Sequence, residues 1–184
     1  MVAYPQYAEI DGKQLKINTD YQVALDCFKA INSDEISDIE RPIALIGLLF
    51  GEDVEIEDKE TAMRIIKQYL QCGKVEEDDN TSINDLDFEY DKDLITSSFL
   101  TDYQIDLETT SMHWWKFCSL ISGLKDDCIL NKVRDLRNYD ISEIKDSKTR
   151  NKIIRQKQKV AIPVKHTKEE QKEIDEFEAW LGEE

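Results

Sequence analysis

Apolar residues recur at helical spacing over most of this chain and at a period of two only near its start. Ala8 and Ile10 flank Glu9, Asp11-Gly12 follows, and Leu15 and Ile17 flank Lys16. Asp-Gly between alternating runs is the strongest short hairpin signal, because a tight primed turn needs φ > 0 at both positions. A small two-stranded ribbon is therefore predicted, its apolar face resting on the helices that follow, since an isolated hairpin is marginal in water. From Thr19 or Asp20 a helix runs to about Ile31, with Val23, Leu25, Phe28 and Ile31 read as its core residues. IERPIALIGLLFGEDV is an apolar helix with Pro42 in its first turn, where a missing amide proton costs nothing, and Gly51 just past its end. Gly47 inside it would permit a close crossing. DKETAMRIIKQYLQCGK is amphipathic, capped by Asp58, closed by Gly73, and carries Met63, Ile66 and Leu70 at helical spacing.

The densest set of aromatics lies between Asp85 and Leu124, and the other elements are expected to assemble around it. DKDLITSSFLTDYQ reads as a helix starting at Asp91 or Asp93, with Ile95, Phe99 and Tyr103 four apart. The extended link Ile105-Asp106-Leu107 leads to a second helix, starting near Thr109 or Thr110. At about 100° per residue, His113, Trp114, Phe117, Cys118, Leu120, Ile121 and Leu124 gather into one broad arc, wide enough for a core face. Trp115 falls outside it, among Met112, Ser119, Ser122 and Gly123. An aromatic and a thioether ringed by small residues make a patch that another helix can approach closely. Trp115 and Met112 are therefore candidate partner contacts, unless a second helix of the same chain covers them. Asp126 to Asn138 follows as an amphipathic helix built on Cys128, Ile129, Val133 and Leu136, with Gly123 in the turn before it.

Charge adds two blocks of opposite sign. Between Glu76 and Asp93 there are nine carboxylates and one lysine, Lys92, which predicts a solvated loop. Between Lys145 and Lys168 there are nine Lys or Arg and one acid, Asp146. This segment reads as a basic helix ending before Pro163, then a hinge. KEEQKEIDEFEAWLGEE closes the chain as an acidic amphipathic helix. Its Phe177, Trp180 and Leu181 are further candidate partner contacts, docking on the chain's own domain or on another subunit. The basic arm is expected to act as an electrostatic latch against acidic surface, on this chain or a neighbour. The expected architecture is mainly α: a compact helical domain with an N-terminal hairpin over 1–144, and a C-terminal helical extension over 145–184.

With 24 Lys and Arg against 40 Asp and Glu, the formal net charge is −16. That excess argues against nucleic acid, whose phosphates need clustered cations, and no aromatic interleaves the basic block. Neither a membrane-length apolar run nor a leader pattern is present, so a soluble cytosolic protein is expected. The four cysteines, Cys27, Cys72, Cys118 and Cys128, are scattered without a CxxC pair and read as small buried thiols in a reducing compartment. The acidic loop lacks the spacing and central glycine of an EF-hand, and no metal or cofactor is assigned. His113 has no nucleophile motif or phosphate loop beside it, so it reads as a buried or interfacial histidine, and no enzyme is expected.

Along DFEYDKDLITSSFLTDYQIDL and MHWWKFCSLISGL the sequence resembles the bacteriophage gene-product-fifteen family, encoded in the tail regions of phages and prophages of Gram-positive bacteria. The residues that carry the likeness are Asp91 or Asp93, Ile95, Phe99, Tyr103, Ile105-Asp106-Leu107, His113 to Phe117 and Leu124. INTDYQVALDCFKAI, Arg134 and Arg137 extend it more loosely, to about Val160. Gln104 departs from the glycine of the family's Tyr-Gly-Ile-Asp-Leu string, which bears on the turn there. The resemblance implies a tail assembly chaperone in the host bacterial cytoplasm, one that binds the tape-measure protein and helps recruit tail-tube subunits, alone or as a homo-oligomer. A structural component of the virion is the alternative it leaves open.

Overall fold

The computed structural model describes residues 4–74 and 85–163. The described residues form one two-stranded hairpin followed by seven helices, a mainly α fold. Strands β1 (Tyr7–Ile10) and β2 (Lys13–Lys16) pair antiparallel, Tyr7 opposite Lys16 and Ile10 opposite Lys13. Asp11 and Gly12 between them adopt φ of 54° and 67°, as a primed turn requires. Alternation buries Ala8 and Ile10. The Asp11 carboxylate accepts the backbone N–H groups of Glu57 and Asp58 at 2.8 and 3.2 Å, tying the turn to the residues just before the helix Lys59–Leu70.

Helix α1 (Tyr21–Ile31) starts at Asp20, whose side chain accepts from the Gln22 N–H. Ser37 and Glu40 form a reciprocal capping box at the start of α2 (Glu40–Phe50). Asp58 caps α3 (Lys59–Leu70) through the Thr61 N–H. Then come α4 (Lys92–Tyr103), α5 (Trp114–Ser122), α6 (Ile129–Asn138) and α7 (Ser147–Val160). Helix α1 packs on α2 and α5, α2 on α3, α4 on α6, and α6 on α7. The core centres on Phe117 of α5. Its ring stacks on Tyr21 (4.6 Å between centroids), Phe99 (5.2 Å) and Trp114 (5.6 Å), so one aromatic column joins α1, α4 and α5.

Several faces turn differently from the sequence expectation. In α1 it is the small residues Ala24, Cys27 and Ala30, with Tyr21, that are buried, while Val23, Leu25 and Phe28 are half-buried and Ile31 is exposed. Small side chains let α1 approach its neighbours closely, and the larger ones line the edge. In α6 Leu130 and Arg137 are buried and Ile129 is exposed. Gly47 is not a close crossing: a Cβ there would meet only the Glu52 Cγ, at 3.9 Å. Helix α5 begins at Trp114, later than Thr109 or Thr110, because Asp20 and His113 form an isolated bridge that keeps the preceding residues extended. The Tyr21 N–H donates to Met112 and the Trp114 N–H to Thr19, so the starts of α1 and α5 hold each other.

Gln104 ends α4 in the left-handed conformation, with φ of 57°. A side chain there costs about 1–2 kcal/mol, and the extra freedom that glycine has in the unfolded chain returns about 0.4–1 kcal/mol. Gln104→Gly is therefore expected to stabilise the protein by about 0.5–1 kcal/mol, raising the urea midpoint at unchanged slope. A lower midpoint would show that Gln104 makes a favourable contact that outweighs the strain.

The acidic stretch is not solvated throughout. Of it, residues 85–93 are described, and Asp91 is fully buried against α6. Its carboxylate accepts two hydrogen bonds from the Arg137 guanidinium, both at 2.7 Å, and a third from the Asp87 N–H at 3.0 Å. This occupation explains why Asp91, at the N-cap position of α4, makes no side-chain capping bond. Arg137 also donates to the Asp85 and Val160 carbonyls. One turn away Arg134 grips the Asp85 carboxylate, which Asn138 contacts as well.

Helix α7 buries no residue. It is held by Arg137 on the Val160 carbonyl and by Lys157 Nζ on the Tyr139 carbonyl, each at 2.6 Å. Among the described residues no Lys or Arg of α7 forms an ion pair with an acid. Within the described residues α7 is thus held through backbone carbonyls, and the acidic residues 76–84 and the residues after 163 lie outside the described residues. Among the described residues no helix is long and apolar enough to cross a membrane.

Candidate partner-binding site

The adjacent tryptophans do related work. Trp114 Nε1 donates to the Leu70 carbonyl and Trp115 Nε1 to the Tyr69 carbonyl, both at 2.9 Å. The last carbonyls of a helix have no partner within it. Two neighbouring indoles of α5 therefore cap two consecutive carbonyls at the end of α3. Trp114 does this from the core; Trp115 does it from the edge and is half-buried. Gly73, at φ of 72°, lies under the Trp115 ring, where a Cβ would come within 3.0 Å of Cη2.

This corrects the expectation of an exposed patch around Trp115 and Met112. Tyr69 and Tyr4 lie beside the Trp115 ring, with centroids at 6.2 and 6.4 Å, so the chain itself covers much of it. Met112 is buried, pulled inward by the bridge between the helix starts. The candidate contacts Phe177, Trp180 and Leu181 lie outside the described residues.

His113 is committed at both ring nitrogens. Nδ1 accepts the Trp115 N–H at 3.0 Å as the cap of α5, and Nε2 bonds the Pro5 carbonyl at 2.9 Å. Tyr4 stacks on the imidazole at 5.0 Å. His113 thus fastens the N-terminal segment over Trp115. No grouping of three or more His, Cys, Asp or Glu among the described residues is placed to hold a metal ion.

A different surface is open. Between α1 and the residues that lead into α4 runs a groove of about 650 Å³. Leu25 and Phe28 of α1 form one wall, Leu86 and Phe88 the other, and Ile95 and Phe117 lie in the floor. The Phe28 and Phe88 rings meet at 5.6 Å and both reach Trp114 at 5.7 Å, so the walls are continuous with the core. Asp26, Asp87, Glu89 and Glu108 stand along the rim against Lys29 and Lys92. Lys29 is already paired with Asp26 at 2.9 Å. The groove therefore offers apolar contact framed by negative charge, a combination suited to an apolar segment with basic flanks.

Periodicity did not disclose this groove, because its two walls come from segments some sixty positions apart in the chain. The sequence signal that bears on it is Arg134 and Arg137, three apart on α6. Those arginines hold Asp85 and Asp91, and so fix Leu86 and Phe88 opposite α1.

The family model described as Bacteriophage Gp15 protein matches residues 4–162. The chain belongs to this family. The match spans every described helix of this Gp15-family chain and stops short of Phe177, Trp180 and Leu181. No curated protein and no solved structure matches it. Family membership makes it a bacteriophage protein, and the residues that carried the sequence resemblance now have places. Ile95 and Phe99 are core, Tyr103 donates to the Leu120 carbonyl, and the paired tryptophans cap α3.

Proposed function

We propose that this Gp15-family protein is a phage tail assembly chaperone, acting by binding and without catalysis. In the host cytoplasm it holds apolar segments of the tape-measure protein and helps recruit tail-tube subunits. The observation that carries this reading is the acid-rimmed groove of about 650 Å³ between α1 and residues 86–96. The net charge of −16 supports it, since like-charged chaperone molecules repel one another while drawing in a basic apolar client. Phe177, Trp180 and Leu181 supply a second apolar contact, to the client or to another copy.

Co-expression with the tape-measure protein tests the reading. The client is expected in the soluble fraction only when this chain is present. Asp26→Lys combined with Glu108→Lys, two exposed rim positions of which Asp26 also pairs with Lys29, is expected to lower client recovery by a factor on the order of ten. Equal recovery with and without the chain would sink the chaperone reading, and equal recovery with the rim variant would move the client elsewhere. A structural role in the virion is favoured by Ile39 and Ile43, 83% and 56% exposed and one turn apart at the start of α2, a pair that a lasting interface would cover. Mass spectrometry of purified particles separates the two readings, because a chaperone leaves before the particle is complete.

A further inference from the structure

Helix α7 carries six Lys or Arg and no acid, and four of its cations form a line. At about 100° per residue, Lys148, Lys152, Arg155 and Lys159 fall within about 60° of one another, a stripe about 16 Å long. All four are exposed, and the half-buried residues Ile153, Ile154, Lys157 and Val160 lie on the other side of the helix. The stripe therefore faces away from α6, on which α7 packs. Lys157 has the Tyr139 carbonyl, whereas none of the four stripe cations pairs with an acid of the described residues. Like charges three and four residues apart repel along a helix, so the stripe works against α7 until acids meet it. The sequence beyond α7 carries acids at the same intervals. Ala161 leaves the helix extended, and residues 161–168 contain Pro163 and no acid. From Glu169 to Glu184 there are eight carboxylates and one lysine, Lys172. Read back from the end of α7, Lys159, Arg155, Lys152 and Lys148 step by four, three and four residues; Glu169, Glu173, Glu176 and Trp180 step forward by the same four, three and four.

We propose that the exposed cationic stripe of α7 is the docking surface for residues 169–180 of the same chain, which turn back as a helix and lie antiparallel along it. Glu169 meets Lys159, Glu173 meets Arg155, Glu176 meets Lys152, and the Trp180 ring covers the Lys148 ammonium. Two arguments make the tail of the same chain the occupant. The eight residues 161–168 are a connection of the length that joins antiparallel helices, and so short a link keeps the tail at a high effective concentration beside α7. A second copy, by contrast, brings a net charge of −16 towards another of −16, and the two repel. Each exposed pair is weak alone, so the contact depends on the register that lets all of them form together, and it yields to salt. Phe177 and Leu181 stand about 100° around the docked helix from the line of Glu169, Glu173 and Glu176, on the adjacent face, where a partner can still reach them. The contact needs no client, so it stands or falls independently of the chaperone reading.

The test uses the full chain, mixed in equal parts with a nitrogen-15-labelled preparation and treated with a water-soluble carbodiimide, which joins an ammonium directly to a carboxylate it touches. Digestion and mass spectrometry then identify the joined residues. The expected links are Lys159 to Glu169 and Lys152 to Glu176, each within one isotope and none between light and heavy chains. In about 1 M salt, where the screening length falls to about 3 Å, their yield should drop by a factor on the order of ten relative to the Lys29–Asp26 link, whose partners are neighbours on one helix. Lys152→Glu with Arg155→Glu should lower the Lys159–Glu169 link by a similar factor. Adding Glu173→Lys and Glu176→Lys to that variant should restore it, with a new link between positions 152 and 176. Both changed stripe positions are exposed, and circular dichroism and melting show that each variant is folded before it is scored. Links between light and heavy chains would place the tail on a second copy and overturn the proposal. So would stripe lysines joined mainly to other carboxylates, or a charge exchange that fails to restore the link.

Discussion

Asp91→Ala is expected to cost about 3–5 kcal/mol of stability, the range measured when one partner of a buried ion pair is removed. The Asp91 side chain is wholly buried and that of Arg137 is 5% exposed. The variant therefore leaves a guanidinium inside the protein facing no counter-charge. The loss is also distributed, because the pair holds three stretches at once: the residues before α4, α6, and the end of α7 through the Val160 carbonyl. Two controls isolate the mechanism. Asp85→Ala removes the partner of Arg134, whose side chain is 31% exposed, and should cost only about 0–1 kcal/mol. The double variant Asp91→Leu with Arg137→Met removes both charges and should recover much of the deficit, since buried ion pairs often exchange for apolar residues without net loss. Chemical denaturation of the set decides it. A single Asp91→Ala variant within 1 kcal/mol of the parent would mean that the charge escapes to water and that the pair does not close the fold.

Trp114→Ala is expected to cost a similar amount, about 3–5 kcal/mol, for a different reason. It opens a cavity in the aromatic cluster that Phe28, Phe88 and Phe117 share, and leaves the Leu70 carbonyl unpaired at the end of α3. Trp114→Phe separates the two effects, because it keeps most of the ring and loses the indole donor. It should cost nearer 1–3 kcal/mol, the penalty of a buried polar group without its partner. Trp115→Phe makes the matching test at the edge of the clamp. The Tyr69 carbonyl keeps the Cys72 N–H as a donor at 3.0 Å, so the cost of Trp115→Phe should fall below that of Trp114→Phe. Equal losses for the two phenylalanine variants would show that Trp115 is as well enclosed as Trp114, despite its position at the surface.

The legible parts of the fold were those specified by near neighbours in the chain. The Asp11-Gly12 turn, the Asp20 and Asp58 caps, Gly51 after α2 and the stop before Pro163 are contests of backbone geometry settled within a few residues. The aromatic concentration between Asp85 and Leu124 likewise marks the centre of the core. What misled was the assumption that a large apolar residue on a helix must face inward. In α1 the buried line is Ala24, Cys27 and Ala30, and the larger Leu25 and Phe28 became a wall of the groove. Burial follows the distance to the neighbouring helix, which the residues of α1 alone do not define.

The same limit applies to charge and to the tryptophans. An acidic run suggests a solvated loop until an arginine on another helix reaches it; Asp91 was buried by Arg137, 46 positions away. A helical wheel separates Trp114 from Trp115 by angle and so suggested one for the core and one for a partner. Both reach the end of α3, because a large indole can extend its N–H sideways to a carbonyl that its own wheel position does not predict. By itself, then, the sequence determined the mainly α class, the hairpin, most helix boundaries and the family. Those follow from local propensity, capping and residue pattern. Tertiary structure alone decided which faces are buried, the Asp91–Arg137 clamp, the groove and the two indole bonds to the end of α3. Each of these depends on where two remote segments are placed in space, and no periodicity along one segment encodes that distance.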